Sequence, residues 1–76
     1  MKWEDRIAVD PNVLVGKPII RGTRIAVEFL VELFAEGWSQ DQILQNYPQL
    51  VQDDIQAALY YAADVMKQER VFRLAV

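Results

Sequence analysis

Along the chain, the spacing of apolar residues changes near residue 25. Before that point they come in short runs. Ile7 and Val9 fall on one side of an alternating stretch, which predicts a short strand over residues 6–10, ended by the turn residues Asp10-Pro11-Asn12. Val13-Leu14-Val15 and Pro18-Ile19-Ile20 then flank Gly16-Lys17. Glycine at the first central position suits a two-residue hairpin, and Pro18 confines its strand to an edge. Pairing of Ile7–Val9 with residues 19–21 across a longer loop fits equally well, and the sequence leaves both registers open. Gly22 allows a sharp turn into the segment beyond it.

From residue 26 to residue 36 the period is helical. Val27, Leu30, Val31 and Phe34 recur at helical spacing, with Phe29 and Leu33 widening the apolar face. Glu28, Glu32 and Glu36 sit four apart and form one acidic stripe. Like charges at that spacing weaken a helix by a few tenths of a kcal/mol per pair, so the stripe faces solvent or meets basic groups. Gly37 closes this helix in the left-handed conformation. Ser39 and Gln42 form a capping box for the next one, with Trp38 placed to staple onto Ile43. That helix runs to about Asn46, where Tyr47-Pro48 stops it. A third helix starts near Gln52 or Asp53 and reaches at least Gln68. Ile55, Ala58, Leu59, Ala62 and Met66 make its expected core stripe, with Ala57, Tyr60 and Tyr61 beside it. Tyr60 and Tyr61 are adjacent, so they cannot both face the core. Trp38 is expected in the core. Residues 71–76 are apolar enough either to extend the third helix or to pack on a neighbour. Three short helices with one tight turn outline a helix-turn-helix domain behind a short β element.

Size sharpens this picture. Seventy-six residues make one small domain, and such a chain buries only about 60% of its unfolded surface. There is no cysteine and no histidine, so disulfides and the usual zinc sites are excluded. The remaining compensation is oligomerisation or a partner chain, and a hydrophobic content of 53% points the same way. The first ten residues hold no apolar signal core, and no run approaches the ~18 apolar residues of a membrane span. A cytoplasmic protein without a membrane-spanning segment is therefore expected.

Charge is segregated. Residues 1–24 carry five basic and three acidic groups. Residues 25–66 carry seven acidic groups and no lysine or arginine, and residues 67–76 carry three basic groups against one acid. An acidic body with basic ends invites pairing between the parts, or between two copies of the chain.

Particular residues resemble a known family. Asp10-Pro11, Gly16-Lys17-Pro18-Ile19-Ile20, Arg21-Gly22-Thr23-Arg24-Ile25 and Val27 are similar to the opening of domain of unknown function 433. Gly37, Ile43-Leu44, Tyr47-Pro48, Leu50, Asp54-Ile55, Ala57-Ala58-Leu59 and Tyr61-Ala62 resemble the rest of its pattern, so the likeness covers residues 7–62. It implies a mainly α, trihelical, helix-turn-helix-like (homeodomain-like) bundle with a short N-terminal β-hairpin extension. On that scheme, residues 1–76 are a single domain: 1–24 the β extension, 25–70 the three-helix unit, 71–76 an apolar tail. The resemblance also implies the antitoxin of a type II toxin–antitoxin pair, with a PIN-like ribonuclease toxin as partner. One departure stands out: Val51 lies where the family tends to place threonine, removing a side-chain cap of about 1 kcal/mol unless Asp53 replaces it.

Candidate chemistry is thin. Lys17, Arg21 and Arg24 form a basic loop that either meets phosphate or an acidic partner, or pairs with Glu28 and Glu32; the internal pairing is the expectation. Gly16-Lys17 is not a phosphate-binding loop, because Pro11 and Pro18 stand where that motif needs glycine and a hydroxyl. The third helix offers Gln52 and Gln56 but no cation before Lys67, so conventional reading of DNA is disfavoured. A dimer still has two basic groups to offer promoter DNA: the loop, or Lys67, Arg70 and Arg73. Ser39 is a cap, and the carboxylates have little volume for a pKa-shifting cleft. No catalytic group, metal ligand, cofactor or small-molecule substrate is expected. Trp3, Tyr60, Tyr61 and Phe72 are interface candidates, since aromatics dominate hot spots. The expected partners are thus a second copy of the chain and the ribonuclease, with DNA-binding regulation or a purely structural dimerisation module as the alternatives.

Overall fold

A computed structural model describes residues 1–68; residues 69–76, and with them Arg70, Phe72, Arg73 and the apolar tail, lie outside the described residues. A short 3-10 turn, Trp3–Arg6, leads into β1 (Ile7–Val9), and a second, Leu14–Gly16, precedes β2 (Pro18–Ile20). Three helices complete the order: α1 (Val27–Ala35), α2 (Gln40–Asn46) and α3 (Gln52–Gln68). The chain is mainly α, with a two-stranded antiparallel hairpin at its N-terminal side.

Of the two open registers, the long-range one forms: Ile7 pairs with Ile20, Ala8 with Ile19 and Val9 with Pro18. The short hairpin around Gly16-Lys17 does not form, because Leu14 and Val15 both adopt left-handed backbone, at φ 51° and 57°. Pairing β1 with β2 puts Ile7 and Ile20 side by side in the core, whereas the short hairpin leaves β1 without a ladder partner. After β2 the chain reverses at Gly22, φ 82°. Thr23 fixes the reversal: its hydroxyl donates to the Ile20 carbonyl at 2.7 Å and accepts from the Ile25 N–H at 3.0 Å. Ala26 thereby returns beside Ile19 and starts α1.

Local chemistry accounts for the helix ends. At α1, the Trp38 N–H reaches the Leu33 carbonyl and the Gly37 N–H the Phe34 carbonyl, around Gly37 at φ 96°. These two bonds are the Schellman closure that a left-handed glycine permits. At α2, Ser39 and Gln42 form the reciprocal capping box, with bonds of 3.1 and 2.7 Å. Trp38 packs against the core cluster that contains Ile43.

Each of β2, α1, α2 and α3 contributes one large, fully buried aliphatic: Ile20, Leu30, Ile43 and Ile55. On α3 the buried face differs from expectation. It is Asp54, Ile55, Ala57 and Ala58, while Leu59 is 43% and Met66 61% exposed. Asp54, Ala57, Ala58 and Tyr61 match the helical i, i+3, i+4, i+7 template, so an acid occupies a slot that apolar counting skips. Two causes combine. The alanines let α3 approach its neighbours closely, and α1 at about 14 Å covers only part of the ~25 Å of α3.

Asp54 is 8% exposed and fully partnered. The Arg6 guanidinium donates to its Oδ1 at 2.9 Å, and its Oδ2 accepts from the Val51 N–H at 3.0 Å. The start of α3 is therefore capped from inside the helix by Asp54. Asp53, the expected substitute, instead sits 3.6 Å from Arg6. Replacing Asp54 with alanine leaves a part-buried guanidinium and a helix-start N–H without their acceptor. Urea denaturation is expected to show a loss of about 3 kcal/mol for D54A, against less than ~1 kcal/mol for D53A, whose pair is exposed.

Candidate partner-docking surface

The basic loop is mostly committed internally, though not as charge pairing alone predicted. Lys17 Nζ lies 2.7 Å from Glu28, an exposed pair. The hydrogen bond that Lys17 donates to Glu28, and then the charge of Glu28, hold the Lys17 ammonium above its ordinary value of 10.5. The small stabilisation linked to that shift is complete below the unfolded lysine pKa and disappears as pH rises through the folded one. Arg21 does not reach the acidic stripe. Its guanidinium donates to the Asp5 carbonyl at 2.7 Å and the Ile7 carbonyl at 3.1 Å, tying the 3-10 turn to the end of β2. Arg24 is exposed and makes neither a side-chain hydrogen bond nor an ion pair among the described residues. Arg6 had no place among the sequence candidates, yet it makes the pair that joins the N-terminal segment to α3.

Arg6, Arg21 and Lys2 also line an open notch of about 460 Å³ with Asp5, Asp53 and Asp54. Both signs of charge meet there, and no buried side-chain nitrogen or oxygen among the described residues lacks a hydrogen-bond partner. The notch is a self-neutralised seam between elements. No cluster of three or more potential metal-ligating side chains occurs among the described residues, and none of their helices is long and apolar enough to cross a membrane.

The aromatic candidates divide. Trp3 is half-buried: its ring stacks on Tyr60 with centroids 6.4 Å apart and meets Tyr61 edge-on at 6.2 Å. Tyr61 packs against the core, and Tyr60, 56% exposed, is the one that faces outward.

Among the described residues, α3 builds two apolar surfaces. Its outward face carries Gln56, Leu59, Tyr60 and Ala63 around a shallow depression of about 350 Å³. Asp53 and Asp64 flank this face by helical spacing, and Lys67 continues it in the last turn. On another side of the helix, the core stripe runs on past the body. There Tyr61, Ala62, Val65 and Met66 form a groove of about 370 Å³ with Val27 and Val31 of α1, and Glu28 and Glu32 also line it. Sequence periodicity missed the division, because it merged residues 59, 62 and 66 into one core stripe.

Comparison with known proteins agrees with this architecture. The family model described as protein of unknown function (DUF433) matches residues 7–62. An uncharacterised protein, y4eO, of Sinorhizobium fredii (strain NBRC 101917 / NGR234) is 34% identical over 56 residues, which are 74% of this chain and 25% of that protein. The chain thus corresponds to about a quarter of that relative's length. A DUF433 member from Anabaena variabilis ATCC 29413, solved by crystallography at 2.00 Å, superposes with a TM-score of 0.79 at 35% identity. The match covers 86% of this chain and 64% of the crystallised one.

The different engagements of the two loop arginines give a direct check. In urea titrations R21A is expected to lose about 1 kcal/mol, as two carbonyls lose a charged donor. R24A is expected to stay within ~0.5 kcal/mol of the parent.

Proposed function

The chain belongs to the DUF433 family, and on that premise we propose that it is the antitoxin of a type II toxin–antitoxin pair. In this reading it is not an enzyme, and it neutralises a PIN-like ribonuclease by docking the outward face of α3 against it. The observation that carries the reading is the exposure of Leu59 and Tyr60 on that face, flanked by Asp64 and by Asp53, whose carboxylate also lies near Arg6. Up to Lys67 at its end, the face lies within a 42-residue stretch, 25–66, that has no lysine or arginine. A nuclease holds its RNA with positive charge, so an inhibitor gains by offering carboxylates around an apolar anchor. Inhibition requires affinity and no reacting group.

A promoter-binding regulator is the rival, and the same geometry supports it less. In a helix-turn-helix protein the third helix reads base edges and needs cations near the phosphates. Here α3 has none before Lys67, and it presents Asp53 and Asp64 instead. Lys17 is held by Glu28 and Arg21 by two carbonyls, leaving Arg24 as the least committed of the loop cations.

The decisive experiment mixes the purified chain with the PIN-like ribonuclease proposed as its partner and monitors RNA cleavage. Stoichiometric suppression is expected. L59D and Y60D should each weaken the complex by roughly 30-fold, the size of a hot-spot loss, with circular dichroism confirming that each variant is folded. Full nuclease activity at saturating chain, or tight complexes with both variants, would overturn the proposal.

A further inference from the structure

The groove between α1 and α3 continues the core, and nothing among the described residues covers it. Ala57, Ala58 and Tyr61 pack against the body, and Ala62, Val65 and Met66 keep the apolar stripe going along the groove, facing Val27 and Val31 of α1. Its wall on the α1 side bears Glu28 and Glu32, and Glu32 has no hydrogen-bond or ion-pair partner among the described residues. The groove therefore calls for a short segment that is apolar along one side and basic along another.

This chain contains such a segment. Residues 69–76 read Glu69-Arg70-Val71-Phe72-Arg73-Leu74-Ala75-Val76, four large apolar side chains with two arginines three apart. The segment begins directly after Gln68, two positions beyond Met66, which lines the groove. Filling the groove of its own molecule requires a reversal at once. Residues 67–76 contain no glycine, proline, asparagine, aspartate or serine, the residues that make tight reversals. A second copy removes that requirement.

We propose that residues 69–76 of a second copy of this chain occupy the α1–α3 groove, with Phe72 and its apolar neighbours over Val31, Val65 and Met66. Arg70 and Arg73 then meet Glu28 and Glu32. Each copy offers both a groove and a segment, so the exchange closes as a two-fold dimer with the same contacts made twice. It supplies the second chain that a domain this small draws on for stability. The groove is separate from the outward face of α3, and the proposal stands or falls independently of the antitoxin reading.

Charge exchange tests it. One variant carries R70E and R73E, the other E28K and E32K; Glu28 and Glu32 are both exposed, so changing them does not open the core. Sedimentation equilibrium is run on the full chain from micromolar to millimolar concentration, with circular dichroism confirming the helices. The parent is expected to dimerise. Each variant alone should dimerise at least about tenfold more weakly, because like charges now meet across the interface. An equimolar mixture should recover parental affinity as a heterodimer, since both of its contacts are again opposite in sign. A monomeric parent at all concentrations, variants that dimerise like the parent, or a mixture that stays dissociated would each overturn the proposal. If either charge variant fails to fold, F72D alone carries the test, with a monomer supporting the proposal and a parental dimer overturning it.

Discussion

The contact between Arg6 and Asp54 organises most of what this chain does with its few residues. A carboxylate in the first turn of α3 is buried to 8% exposure, and one guanidinium from the residue before β1 answers it. Burial of an unpaired carboxylate is prohibitive, and only a partner with good geometry makes it tolerable. The second oxygen of Asp54 closes the start of α3 on the Val51 N–H. One side chain thus caps a helix, fixes its rotation and fastens the N-terminal segment to it. Arg21 reinforces that fastening by holding the carbonyls of Asp5 and Ile7.

The rotation of α3 has consequences for its surface. With Asp54, Ala57, Ala58 and Tyr61 turned inward, Leu59 and Tyr60 are turned outward, and Trp3 covers part of the tyrosine pair. The length of α3 has a second consequence. Full burial along it stops after Ala58, although apolar residues continue to Met66. Both surfaces arise from packing a 17-residue helix against helices of nine and seven residues.

The acidic stripe of α1 shows how weakly surface charge constrains such a fold. Glu28, Glu32 and Glu36 repel one another along the helix, and Lys17 pairs directly with the first of them. Exposed pairs of this kind contribute little to stability. The stripe persists at small cost while leaving negative potential beside the groove.

Much of the architecture is local and was legible in the residues themselves. The Gly37 closure, the Ser39–Gln42 capping box, the stop at Tyr47-Pro48 and the left-handed turn at Gly22 each depend on atoms within a few positions of one another. Helical spacing likewise located all three helices, and the family pattern over residues 7–62 was visible as a resemblance. The strand register was not legible, because two pairings satisfied the same alternation until Ile7 and Ile20 had to share one core. The buried face of α3 was misjudged for a related reason. Apolar counting assumes that acids lie outside, and only a partner 48 positions away makes an inward aspartate stable. Sequence by itself determined where the chain turns and where it coils. Tertiary structure decided which faces meet and which stay open, because desolvation and ion pairing depend on neighbours that the chain brings together only by folding.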